Sequence, residues 1–163
     1  LGQQVSVAAA TTLAGRLVAA VGAPHAGGGR LTHRFPTAAE VAARGVDGLA
    51  ALGLPRPRAA GLHALATAIA TGALGFGRLE LDAFVAAACA LPGVGPWTAH
   101  YLAMRALHLP DAFPAADLGV KKALGLTPAA AIARAEAWRP LRAYAVMHLW
   151  TSLGEGGEGG GAR

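Results

Sequence analysis

Cysteine is nearly missing from this chain: its 163 residues hold only Cys89. One thiol excludes a disulfide within the chain and a cysteine-built zinc or iron–sulfur site, and it fits a reducing compartment. Long apolar runs are missing as well. No stretch of roughly 18 or more uninterrupted apolar residues occurs, which excludes a membrane-spanning helix. No basic-then-apolar leader and no initiator Met open the sequence, and Leu1-Gly2-Gln3-Gln4 runs almost at once into helix-like residues, so a fragment with its upstream part elsewhere is expected. Charged residues are only 14% and aromatics 6%, and lysine is confined to Lys121 and Lys122. Period-two alternation over β-branched residues is absent, so no strand is expected, nor any repeat of fixed period. The six histidines lack the His-x-x-x-His spacing of a metal pair and read as structural or exposed.

What remains is apolar and basic. Hydrophobic residues are 54% of the chain, and a chain of this length buries about 68–70% of its unfolded surface, so one core-bearing unit of ordinary size is expected. The formal net charge of +5 favours a polyanionic partner.

Punctuation divides the rest into about eight or nine short helices, an all-α fold. Val5 to Val21 is the first, stopped at Gly22-Ala23-Pro24; residues 22–36 form a loop. Thr37-Ala38-Ala39-Glu40 is a capping box that opens a short helix ending near Gly45. Asp47 is placed to cap another through Leu52, and Leu54-Pro55-Arg56-Pro57 reads as a rigid connector. Arg58 to Thr71 puts Leu62, Leu65, Ala66 and Ile69 on one face. Leu81 or Asp82 to Ala90, Pro96 to Leu109, Thr127-Pro128 through Trp138, and Leu141 to Leu153 complete the set, with a short run after Asp117. Residues 154–163 are glycine-rich and expected to be flexible.

One stretch carries chemistry. Leu91-Pro92-Gly93-Val94-Gly95-Pro96-Trp97 is a tight turn that opens into a helix. Its glycines let the backbone turn sharply and approach a ligand closely, and Pro96 suits the first helical position. Backbone N–H groups at a positive helix end suit a phosphate, so Pro92, Gly93, Val94 and Gly95 are candidates to grip a nucleic-acid backbone without reading sequence. An ordinary αα-hairpin explains the turn equally well. Trp97 and Tyr101 share a helix face one turn apart, as an aromatic wall or as core; Arg105 on the same side is by default solvated. Asp117 stands alone in its loop apart from Asp111, and an Asp before a short helical run is usually an N-cap. The cap and a catalytic role are compatible, because a cap fixes the carboxylate. Trp150 could line a pocket, whereas Trp138 reads as core.

Leu91-Pro92-Gly93-Val94-Gly95-x-x-Thr98-Ala99 followed by a Pro-containing loop and Asp117 resembles the helix-hairpin-helix/Gly-Pro-Asp superfamily of DNA glycosylases. The opening residues 1–8, Ala51-Leu52-Gly53-Leu54-Pro55-x-x-Arg58-Ala59, and Trp138-Arg139-Pro140-Leu141-Arg142-x-Tyr144-Ala145-x-x-His148-x-Trp150 narrow the likeness to the AlkA-type 3-methyladenine DNA glycosylases (glycosylase II). It covers residues 1–153. The resemblance implies two helical subdomains with a helix-hairpin-helix motif and an active-site cleft between them, and a monomer in the bacterial cytoplasm. It implies Asp117 as the catalytic carboxylate and a damaged-base pocket built from Trp97, Tyr101, Trp150 and Leu118. It further implies a Gln3-Gln4 turn that fills the gap left by a flipped nucleotide. No cofactor is implied for catalysis, but a monovalent cation on the main-chain carbonyls of Leu91 and Val94 is. The implied partner is double-stranded DNA containing alkylated bases. Five features depart from relatives: Trp97 stands where bifunctional members carry a lyase lysine, so strand cleavage is not expected; iron–sulfur members need four cysteines; Gln4 stands where a larger apolar side chain can occur; Leu118 stands where an aromatic can occur; and the family's N-terminal α/β subdomain is not expected within this sequence. On the residues alone, a non-catalytic DNA-binding hairpin module and a helical interaction domain stay open.

Overall fold

Capping residues and glycine stops set most of the observed elements. The structure, a computed structural model, describes residues 2, 5–27, 31–75 and 80–158, with side chains through Leu153. Among the described residues the chain is all-α, without a strand. Two compact units emerge, Leu1–Gly77 with Leu91–Gly93, and Arg78–Ala90 with Val94–Arg163.

In the first unit, α1 (Val7–Val21) begins at Ser6, whose hydroxyl accepts from the Ala9 N–H at 3.2 Å. The loop after it makes a single antiparallel bridge, Pro24 to His33, too short to be a strand. α2 (Ala38–Ala43) starts with the expected capping box: Thr37 accepts from the Glu40 N–H, and Glu40 accepts from the Thr37 N–H at 2.8 Å. Arg34 clamps the same carboxylate, and this pairing, helped by the Thr37 donors, holds the Glu40 carboxyl down to about 2. α3 (Gly45–Ala50) departs from expectation. Asp47 lies inside its first turn rather than capping it, and its carboxylate pairs with Arg56 at 2.6 Å. α4 (Arg56–Ala70) starts earlier than its prolines suggest, with Pro57 in the first turn, where a missing N–H costs no helical bond. α2 and α3 pack on α4, and Leu13 and Leu17 of α1 join Val41, Leu49, Leu54, Ala59 and Ala66 in the unit's core. Burying each leucine contributes about 1.5–3 kcal/mol.

The second unit holds α5 (Leu81–Cys89), α6 (Pro96–Arg105), α7 (Leu118–Leu124), α8 (Pro128–Ala135) and α9 (Arg142–Glu158). α5 packs on α6, and α7 on α9. α6 stops short of Leu109: His108 takes a left-handed φ of 55°, and Pro110 disfavours helical backbone at the residue before it. Thr127 caps α8 as expected, and the last turn tightens to a 3-10 helix over Glu136–Trp138 before the cis Arg139-Pro140 bond. Trp138 meets Phe113 edge-on at 6.1 Å and carries the Arg134 guanidinium 5.5 Å from its ring centre. α9 continues past Leu153 through Glu158, so the helix reaches into the glycine-rich stretch expected to be flexible throughout; good helix formers at Glu155 and Glu158 interleave those glycines.

The loop from α6 to α7 is tied down twice. Arg142, buried at the start of α9, donates through Nε to Asp111 Oδ1 at 2.7 Å and through Nη2 to Oδ2 at 3.0 Å. Arg139 also pairs with Asp111, and Glu136 accepts from Arg139 Nε at 2.8 Å. Further along, Phe113 donates its N–H to His100 Nδ1 at 3.3 Å. Residues 112–115 are buried, with exposed Ala116 between them and Asp117.

Candidate active site

The turn between α5 and α6 has the backbone its glycines predict. Gly93 sits at φ 73°, a conformation that favours glycine, and Gly95 is the N-cap of α6 with Pro96 in the first turn. Pro92, Gly93 and Gly95 are exposed, Val94 is buried and Leu91 half-buried. A Cβ added at Gly95 would meet no atom within 4 Å, so the protein itself does not require glycine there. Within the first unit, Gly61 of α4 leaves room for the turn: a Cβ on it would stand 2.8 Å from the Pro92 carbonyl oxygen.

Asp117 lies wholly in the second unit and is both cap and hub. Its extended backbone (φ −60°, ψ 135°) starts α7, and Oδ1 accepts from the Gly119 N–H at 2.9 Å and the Val120 N–H at 3.1 Å. Two indoles add to this. Trp150 of α9 donates through Nε1 to Oδ1 at 2.8 Å, and Trp97 of α6 donates through Nε1 to Oδ2 at 3.1 Å. Trp97 stacks on Tyr101 with centroids 5.3 Å apart, and Tyr101 in turn lies 6.2 Å from the Trp150 ring. Three half-buried aromatics are thus gathered beside one carboxylate, their faces suited to a planar ring and the two indole N–H groups to an anion.

Four of the five residues expected at the site (Asp117, Trp97, Tyr101 and Trp150) are brought together. Leu118 stands apart. It is 79% exposed and two positions from buried Val120, hence on a different side of α7. Gln3 and Gln4 lie outside the described residues. Sequence reasoning missed Gly119, where a Cβ would stand 2.7 Å from Trp150 Cδ1 and 3.0 Å from Asp117 Oδ1. A glycine in the first turn of a short helix, where almost any residue fits, was the available signal. Among the described residues, no group of three or more His, Cys, Asp or Glu is placed to hold a metal.

Residues 1–131 match the family described as HhH-GPD superfamily base excision DNA repair protein. The chain belongs to the HhH-GPD superfamily. A relative from Mycobacterium tuberculosis, a probable bifunctional transcriptional activator/DNA repair enzyme AlkA, is 46% identical over 94% of this chain and 32% of its own length. DNA-3-methyladenine glycosylase 2 of Escherichia coli is 36% identical over 94% of this chain and 55% of its own. The chain therefore spans about a third to a half of these relatives. Among solved structures, a 3-methyladenine DNA-glycosylase from Archaeoglobus fulgidus superposes with a TM-score of 0.79 at 24% identity, covering 92% of this chain and 54% of that one. A Schizosaccharomyces pombe 3-methyladenine DNA glycosylase in complex with abasic DNA gives 0.72 at 22% identity, over 91% and 73%. Both share the HhH-GPD fold with this chain.

Proposed function

We propose that this chain carries the base-excising site of a monofunctional glycosylase that hydrolyses the N-glycosidic bond of alkylated bases, 3-methyladenine among them, in double-stranded DNA. The observation that supports it is the Asp117 carboxylate held by two indole N–H groups beside the Trp97–Tyr101 stack in a chain of a base-excision repair family.

The target base leaves the stack to be reached. An alkylated purine is already cationic, so it departs without a general acid while positive charge develops on the sugar. One carboxylate about 4 Å from that charge contributes about 4 kcal/mol at an effective dielectric of 20, roughly three decades in rate. Asp117 supplies it and orients the attacking water. Trp97, Tyr101 and Trp150 take the electron-poor ring. Cation–π contact contributes only ~0.5–2 kcal/mol, too little for sharp discrimination, so a broad lesion range is expected. Trp97 offers no amine for a Schiff base, so strand cleavage is not part of the reaction.

The turn Pro92–Gly93–Val94–Gly95 is the phosphate grip in this reading. The open space at Gly95 supports it, since the need for glycine there would come from the partner. Carbonyl oxygens at Leu91 and Val94, neutral hard donors, suit a monovalent cation, and Gln3 and Gln4 are assigned to the gap left by the flipped nucleotide.

Methylated duplex DNA tests the proposal. Asp117→Asn abolishes base release while largely preserving DNA binding; full release by that variant would remove Asp117 from its role. Salt-sensitive binding with no base released by the intact protein would instead make the chain a non-catalytic DNA-binding module.

A further inference from the structure

We propose that Trp150, admitted by Gly119, is a positioning residue that splits the Asp117 carboxylate into an anchoring oxygen and a working oxygen. The inference rests on the reading of Asp117 as the carboxylate that acts on the sugar. A carboxylate has about four acceptor sites, two on each oxygen. Oδ1 receives three donors: Gly119 N–H at 2.9 Å, Val120 N–H at 3.1 Å and Trp150 Nε1–H at 2.8 Å. Its capacity is exhausted. Oδ2 receives the Trp97 indole at 3.1 Å and keeps a lone-pair direction for a water or a developing cation.

The two backbone donors are what any capping Asp receives. The third is different. It arrives from α9, along the helix that packs on α7, and fixes the carboxylate plane against rotation about its last torsion. The contact depends on the absence of a side chain at position 119. A Cβ there would lie 2.7 Å from Trp150 Cδ1, 2.9 Å from its Nε1 and 3.0 Å from Asp117 Oδ1, so the indole would have to withdraw. A helical glycine costs stability relative to alanine; here it admits the donor that holds the carboxylate. Trp150 thus acts through Asp117, beyond any stacking on the base.

Trp150→Phe keeps a smaller aromatic ring and removes the donor. In single-turnover base release from methylated duplex at saturating enzyme, the rate falls about tenfold to hundredfold, as for loss of one hydrogen bond to a charged group. The DNA dissociation constant changes far less than the rate, because the phosphate contacts and part of the aromatic stacking remain. Gly119→Ala, which pushes the ring aside, slows release in the same way. A wild-type rate for Trp150→Phe, or a loss confined to DNA affinity, would overturn the inference. Asp117→Asn assayed in parallel separates the two levels: if it is inactive while Trp150→Phe is unimpaired, only the positioning role fails, and if it is fully active the catalytic reading itself fails. An activity-independent readout is the Trp150 indole Nε1–H resonance, which shifts in Asp117→Asn; an unmoved resonance removes the hydrogen bond and the inference with it.

Discussion

His100 shows how a single residue ties the loop before the site to pH. Its Nδ1 accepts the Phe113 N–H, which requires a neutral ring with the proton on Nε2. Burial, reinforced by Arg142, pushes the imidazole below its ordinary 6.5, while Asp82 and Asp111 pull the other way. The unfolded chain then binds a proton that the folded chain refuses. Stability from this group is full above 6.5 and is lost as pH falls toward the depressed folded value. Urea unfolding at about pH 7.5 and about pH 5.5 should therefore show a loss of stability on the acid side, and His100→Gln, which offers an uncharged acceptor, should lessen that loss. An unchanged pH slope in the variant would remove His100 from this role.

At the scale of elements, the loop between α6 and α7 is fixed by charge more than by secondary structure. Asp111 is the main partner of buried Arg142, with Glu136 reaching the same guanidinium at 3.4 Å. Asp111→Ala leaves that cation underpaired and should cost about 3 kcal/mol in chemical denaturation. Glu136→Ala, at an exposed carboxylate, should cost under about 1 kcal/mol. Equal losses would show that the cluster is not centred on Asp111. The sequence reveals elements well where their ends are chemically local. Thr37 with Glu40, Thr127 with Pro128 and Asp117 each cap a helix through atoms within three residues, so the pattern is written in the chain. Ends set by backbone context are harder to see: Pro57 falls inside α4, α6 ends at Arg105 ahead of left-handed His108, and α9 runs into its glycines.

For the whole molecule, the +5 charge is the property that reaches furthest. If the partner is duplex DNA, affinity falls linearly on a log–log plot against salt, and a protein meeting roughly six phosphates loses on the order of a thousandfold between about 50 and 200 mM. Fluorescence anisotropy on an undamaged duplex measures this, and a flat response would dismiss the polyanion. The hairpin, the aromatic pair and Asp117 are legible from spacing because a helix turn and a cap are short-range. The donation from Trp150 to Asp117 joins residues thirty-three apart and depends on the packing of α7 against α9, which no local pattern encodes. Gly119 becomes meaningful only once that packing is known.

Asp117 serves helix α7 and, in the proposed reading, the chemistry with the two oxygens of one carboxylate, which shapes how the position drifts over generations. Alanine would forfeit the cap, at about 1 kcal/mol, together with the charge. Asparagine caps about as well as aspartate and keeps an oxygen for the three donors that meet at Oδ1, losing only the acceptor that faces Trp97. Selection for folding therefore resists loss through alanine but is nearly blind to asparagine. Descendants that abandon the reaction and keep their fold should carry Asn at this position, which makes that one residue a marker for retired members of the lineage.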